Sequence, residues 1–209
     1  MVSLFKAYRN LPKAVYFLFM VRIITGIGNF VYPFLTLFLT EKLGMSTKVA
    51  GIYFMAFSIV QGAGVIAGGK LCDHVKRKGL LLICMAMGGI LMGVCTFTGN
   101  FMLTAYVIVS SGLFLGAQMA VSSAMINDIT KPENRKQSFS LLYLGNNLGF
   151  MIGPTLAGLL YRSYASLIFL GNGISALIAV YLIYRFIPDS TPTLEDMESE
   201  ELSAQEAHD

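Results

Sequence analysis

The stretch VAGIYFMAFSIVQGAGVIAGG, residues 49–69, followed at once by KLCDHVKRK, residues 70–78, decides the class of this protein. Residues 49–69 contain no charged side chain, and four Lys or Arg then fall within the next nine positions. A hydrocarbon core of about 30 Å is crossed by roughly 20 apolar residues in a helix, whereas a barrel strand would alternate apolar and polar residues, which this run does not. A basic cluster directly after such a run is the usual mark of a cytoplasmic loop. Working outward, five further runs have the same character, at 14–38 (interrupted only by Arg22), 79–97, 102–126, 138–161 and 165–184. Thr98-Gly99-Asn100 divides the long charge-free stretch into two. The expected fold is an all-α, polytopic membrane protein with six transmembrane helices.

Composition agrees: of 209 residues 55% are hydrophobic and only 13% charged, with positive mean hydropathy. The formal charge of +3 hides an asymmetry, because eight of the twelve acids lie in residues 189–209. The basic remainder does not point to nucleic acid, since its Lys and Arg sit in short clusters between apolar runs. Eleven of them (Lys6, Arg9, Lys13, Lys70, Lys76, Arg77, Lys78, Lys131, Arg135, Lys136 and Arg185) fall on one side of the six runs, and Lys42, Lys48 and Arg162 fall on the other. That bias places both termini in the cytoplasm. The division is therefore 1–13, a cytoplasmic segment; 14–186, the transmembrane domain; and 187–209, an acidic tail read as disordered or as the start of a longer loop. The first run exceeds a signal-peptide core and no small-residue cleavage site follows it, so it is read as an uncleaved span.

Shifting the sequence by 89 residues lays spans 1, 2 and 3 on spans 4, 5 and 6, and lays Gly64 and Gly69 on Gly153 and Gly158. Three helices followed by three related helices have inverted topology, an arrangement found in transporter folds. On span 1, Arg22, Gly26, Asn29, Pro33, Thr36 and Thr40 share one face. Under the same shift Arg22, Asn29 and Pro33 become Ser111, Gln118 and Ser122, again one stripe. A buried arginine is costly unless it meets water, an acid or carbonyl groups. Two readings stay open: the stripe lines a substrate cavity, or it serves helix–helix hydrogen bonding with Arg22 reaching back to the interface. Tyr32, Asn146 and Asn147 complete the candidate pathway. In span 5, Gly145, Gly149 and Gly153 recur at four-residue intervals before Pro154 and Gly158, a spacing that lets another backbone approach closely.

Two motifs then carry a resemblance. Gly69, Leu71, Asp73, Arg77 and Lys78 match the G-x-L-a-D-R-x-G-R-K/R loop of the major facilitator superfamily, with His74 and Lys76 departing from it. Gly149-x-x-x-Gly153-Pro154-x-x-Ala157-Gly158 is similar to that family's antiporter motif in helix 5, with Ala157 in place of a glycine. Asp128 and Arg135 stand where related drug-efflux members place an acid and a base. The chain resembles the N-terminal six-helix half of such a transporter, close to the multidrug efflux antiporters. The resemblance implies efflux of small lipophilic molecules by alternating access, with a second six-helix half of the same orientation, from this or another chain, and with proton coupling as an option. It also implies a plasma membrane of the bacterial inner type. It further implies that the loop cluster around Asp73, paired with Arg77 or Arg135, latches the halves. The competing reading is a half-transporter that moves nothing and serves as a membrane scaffold or assembly partner, or a truncated inactive product. No cofactor or metal site is expected: the three cysteines include no CxxC, and Cys84 and Cys95, about 16 Å apart on one helix, cannot bridge. Enzyme signatures fail too, because His74 and His208 both lie outside the spans and no HExxH or P-loop occurs.

Overall fold

The computed structural model describes residues 8–9, 11–29, 31–98 and 101–189, excepting the side chains of 31–33, 101 and 162–166. Tyr32 and Pro33 as side chains, and the acidic tail past Asp189, lie outside that description. Among the described residues the chain is helical, with no strand: α1 (Lys13–Ile27), α2 (Val31–Leu37) running into a π turn (Phe38–Lys42), α3 (Thr47–Cys72), α4 (Arg77–Cys95), α5 (Phe101–Ile129) and α6 (Pro132–Phe186). It is a multi-pass membrane protein. Four helical stretches, Thr47–Cys72, Arg77–Cys95, Met102–Ile129 and Leu167–Phe186, are each long and apolar enough to cross a bilayer.

The first run, expected as one helix over 14–38, is broken instead. Helix α1 stops at Ile27 and helix resumes at Val31. Proline at position 33 supplies no N–H to the carbonyl of Asn29, and Gly28, in right-handed helical backbone, lies so close to Ser175 that no side chain would fit there. Elsewhere the boundaries follow local chemistry. The Ser46 side chain accepts from the Val49 N–H at 3.4 Å and caps α3, and Pro132 opens α6, where its missing N–H is harmless. Gly44, at φ 65°, makes the turn before α3 in a conformation that suits glycine.

Helix α6 is 55 residues long, about 80 Å if straight, but its contacts show that it folds back. Ser140 meets Tyr8 at 3.1 Å, Gly149 lies against Ile23 and Gly26, and Gly158 against Phe34, in the same order along both chains. Past Tyr161 the order reverses: Phe169 packs edge-on to Phe38 at 4.9 Å and Phe186 stacks on Phe17 at 4.6 Å.

Packing relies on close backbone approach. Helix α1 meets the first part of α6 through Gly26, Gly149 and Gly153; α3 meets α5 through Gly68 and Ala117; α4 meets the second part of α6 through Gly89, Gly173 and Ala176. Two buried clusters close opposite ends of the bundle, one around Leu39, Cys95 and Phe169, the other around Leu18, Leu81 and Ile183. By contrast α3 keeps only 17% of its apolar window buried, with Met55, Ile59 and Ile66 more than half exposed. Water would not tolerate such a face on a monomer, whereas lipid or another apolar protein surface covers it at no penalty.

Candidate functional site

Between the two buried clusters lies a cleft of about 680 Å³. Its position follows from the polar faces of the helices: Arg22, Thr25 and Asn29 from α1 and the residues after it, Ser111 and Gln118 from α5, and Asn146 from α6 all line it. Apolar walls come from Phe54, Phe57, Met85, Met92, Phe139 and Phe150. Among the described lining residues Arg22 is the one formal charge; there is no Asp or Glu.

The Arg22 Nη2 donates to Ser122 Oγ at 2.9 Å, a bond from α1 to α5 across 100 residues of sequence. Ser122 is 7% exposed and sits behind the guanidinium in a side pocket rather than on the main cleft wall. Arg22 therefore points inward and is held there by a neutral acceptor. Ser111 turns its hydroxyl back to the Ile108 carbonyl at 2.6 Å. The Asn29 side-chain Oδ1 is buried with no hydrogen-bond partner among the described residues, close to the break between α1 and α2. Asn147 does not line the cleft: its amide donates to the Tyr143 carbonyl at 2.8 Å on an exposed face. Consecutive helical residues point about 100° apart, and here Asn146 faces the cleft while Asn147 turns away from it.

Sequence reasoning passed over Gln61 on α3 and Asn172 and Ser175 on α6, which also line the cleft. A usable signal was present, because Gln61 and Asn172 are isolated amides within apolar runs, and an intramembrane polar residue is a functional candidate by default.

At the basic end of the bundle the loop residues separate into two groups. Arg77 forms an ion pair with Asp128, their side chains 12% and 11% exposed, and its Nε donates to the Cys72 carbonyl at 3.4 Å. One guanidinium thereby joins the end of α3, the start of α4 and the end of α5. The expected pairing of Asp73 with Arg77 or Arg135 is not made. Arg77 is engaged by Asp128, and Arg135 Nη2 donates to the carbonyls of Asn127 (3.2 Å) and Thr130 (3.4 Å), capping α5. Asp73 stands exposed at the end of α3, its carboxylate accepting a long contact from Cys72 Sγ at 3.8 Å. Lys78 pairs with Asp189 at 3.4 Å and lies over the Tyr184 ring. Gly69 has open space where a Cβ would stand, and Leu71 is 48% exposed.

In the helix 5 motif Gly149 and Gly153 pack on the backbone of α1, whereas Gly158 has ordinary clearance, its nearest neighbour being the Phe34 ring at 3.7 Å. Pro154 lies within α6.

The sequence and fold are similar to those of known proteins. The chain is 29% identical over 164 residues to the MFS-type transporter YttB of Bacillus subtilis, covering 77% of this chain and 40% of that protein. It is 26% identical over 207 residues to the multidrug resistance protein MdtH of Photorhabdus laumondii, covering 94% and 50%. Its fold matches the crystal structure of the human organic anion transporter MFSD10 with a TM-score of 0.72 at 20% identity, over 88% of this chain and 50% of that one. The chain thus spans half or less of the length of these relatives. Residues 18–206 match the Major Facilitator Superfamily as a whole, and the chain belongs to that superfamily.

Proposed function

We propose that the chain is one six-helix half of a secondary active transporter that exports small lipophilic molecules by alternating access, working against a second half of the same orientation. The observation that carries this reading is the cleft itself: a polar patch centred on Arg22, inside an apolar bundle, open on a side that no described residue covers. Six spans follow if α1 and α2 count as one crossing and α6, which folds back after Tyr161, counts as two. Contacts support an inverted repeat. Span 1 packs on span 5 through Gly26 and Gly153, and span 4 packs on span 2 through Ala117 and Gly68; the two span pairings, though not the individual contact residues, exchange under the 89-residue shift. The cytoplasmic placement of both termini, in a membrane of the bacterial inner type, rests on the Lys and Arg bias.

The exposed Asp73 and Leu71, with Gly69, whose Cβ position is open, support docking of the second half at the end of α3, because none has an internal packing role that explains it. No acid lines the cleft among the described residues, so proton coupling would draw on a carboxylate of the second half. The relative MdtH, by name a multidrug resistance protein, supports the export reading.

Energised everted vesicles from cells producing the protein test transport. They should accumulate at least one of three lipophilic probes (naphthalene-2-carboxylate, its carboxamide, 2-naphthylmethylamine) above vesicles lacking it. Accumulation of all three no greater than in vesicles lacking the protein would refute the transport reading. Flux that persists in liposomes holding a single chain each would refute the second half.

A further inference from the structure

We propose that the cleft recognises a lipophilic organic monoanion, its carboxylate or equivalent group held by the Arg22 guanidinium. This deepens the transport reading and rests on the same cleft, but it concerns binding, which needs no translocation.

The argument starts from charge. A guanidinium has five N–H donors in a planar fork. Ser122 Oγ takes one of them, and it is the sole acceptor for Arg22 among the described residues. Ser122 is neutral, so the positive charge lies in a low-dielectric surround with no counter-charge on the cleft wall. Within this chain's described lining the missing partner is negative: an anion is attracted, and a cation is repelled by Arg22 with no acid of this chain to offset it. Its number is fixed as well. A second negative charge on the ligand would find only neutral amides and hydroxyls, which solvate an ion but do not neutralise it.

The walls decide what kind of anion. Inorganic anions are strongly hydrated and need a cage of donors to replace that water. The phenyl rings of Phe54, Phe57, Phe139 and Phe150, with Met85 and Met92, would strip hydration without replacing it. An aromatic or alicyclic body uses the same walls productively, and about 680 Å³ lies within the range that holds a drug-sized molecule. Gln61, Gln118 and Asn172 can each donate and accept, so they accommodate hydroxyl, ether or carbonyl substituents without dictating one. Ser122 keeps the guanidinium plane from swinging away, which favours a bidentate approach by a planar carboxylate.

The test is equilibrium binding of radiolabelled naphthalene-2-carboxylate to the purified full chain in phosphatidylcholine nanodiscs, against its carboxamide and 2-naphthylmethylamine. The carboxylate should bind saturably and about tenfold or more tighter than the carboxamide, since charge-assisted bonds exceed neutral ones. The amine should bind weakest. Arg22→Gln should erase the carboxylate preference while leaving carboxamide affinity within about twofold; Arg22→Lys should restore part of it, which separates lost charge from misfolding. Adding phosphatidylglycerol should not displace the carboxylate; displacement would assign the site to an anionic lipid headgroup and overturn the proposal. Equal affinity for carboxylate and carboxamide, no saturable carboxylate binding, or a preference that survives Arg22→Gln would each overturn it. Anion-selective binding without vesicle transport would instead sink the transport reading alone, and transport with no anion preference would sink this inference alone.

Discussion

Substituting Gly153 by alanine tests whether α1 and α6 are held together by backbone contact. A Cβ at that position would stand 2.7 Å from the carbonyl oxygens of both Gly26 and Ile27. Carbon and carbonyl oxygen are comfortable at about 3.3 Å or more, so the two helices must part by about 0.6 Å along their contact. Neither neighbour is a side chain that can rotate away. Overpacking of this kind costs about 1–3 kcal/mol. The better helix propensity of alanine returns up to about 1 kcal/mol, leaving a net loss of about 1–2 kcal/mol. For a chain of this size that lowers the Tm by roughly 2–8 °C. Cys72, Cys84 and Cys95 are all buried, so a fluorogenic thiol dye reports unfolding without an added label. Gly158→Ala is the internal control: its Cβ would meet only the Phe34 ring at 3.7 Å, and its Tm should hold or rise by up to about 4 °C. A Gly153→Ala protein as stable as wild type, or a Gly158→Ala protein that falls equally, would refute the backbone-contact account of this motif.

Three further outcomes are expected. Asp128→Asn leaves the guanidinium of Arg77, 12% exposed, without its counter-ion; removing one partner of a buried pair costs about 3–5 kcal/mol, so dye-monitored unfolding should shift down by 6 °C or more, roughly by the same scaling. Asp73→Asn, at an exposed position with no ion partner among the described residues, should leave the Tm within about 2 °C, yet it should slow turnover in a complete transporter if that residue docks the second half. A large Tm loss would show that Asp73 works within the chain instead. Arg22→Ala should insert normally into membranes, because removing a buried charge eases insertion, while abolishing vesicle accumulation of the carboxylate probe; unchanged accumulation would favour an Arg22 that only reaches for the interface.

Hydropathy and charge were sufficient for the membrane class, because lipid forces every backbone group to be paired inside a helix and makes each crossing a continuous apolar run. The polar stripe containing Arg22, Asn29, Ser111 and Gln118 was legible for the same reason: an isolated polar residue in hydrocarbon stands out against its neighbours. Its partner Ser122 fell on the same stripe, but the direction of the Arg22 side chain toward α5 did not follow from periodicity. Three matters were decided in three dimensions. The break of the first span between Ile27 and Val31 was missed although Pro33, with no N–H for the Asn29 carbonyl, is plainly visible in the sequence, because hydropathy averages over that turn. Arg77 takes Asp128 rather than the nearer-in-sequence Asp73 because the end of α5 is packed against the start of α4, with Leu81 and Met85 sharing one buried cluster with Val121 and Met125, and not because of spacing along the chain. Gln61 and Asn172 join the cleft wall, and Asn147 leaves it, because the rotation of each helix about its own axis depends on which small residues let a neighbouring backbone come close.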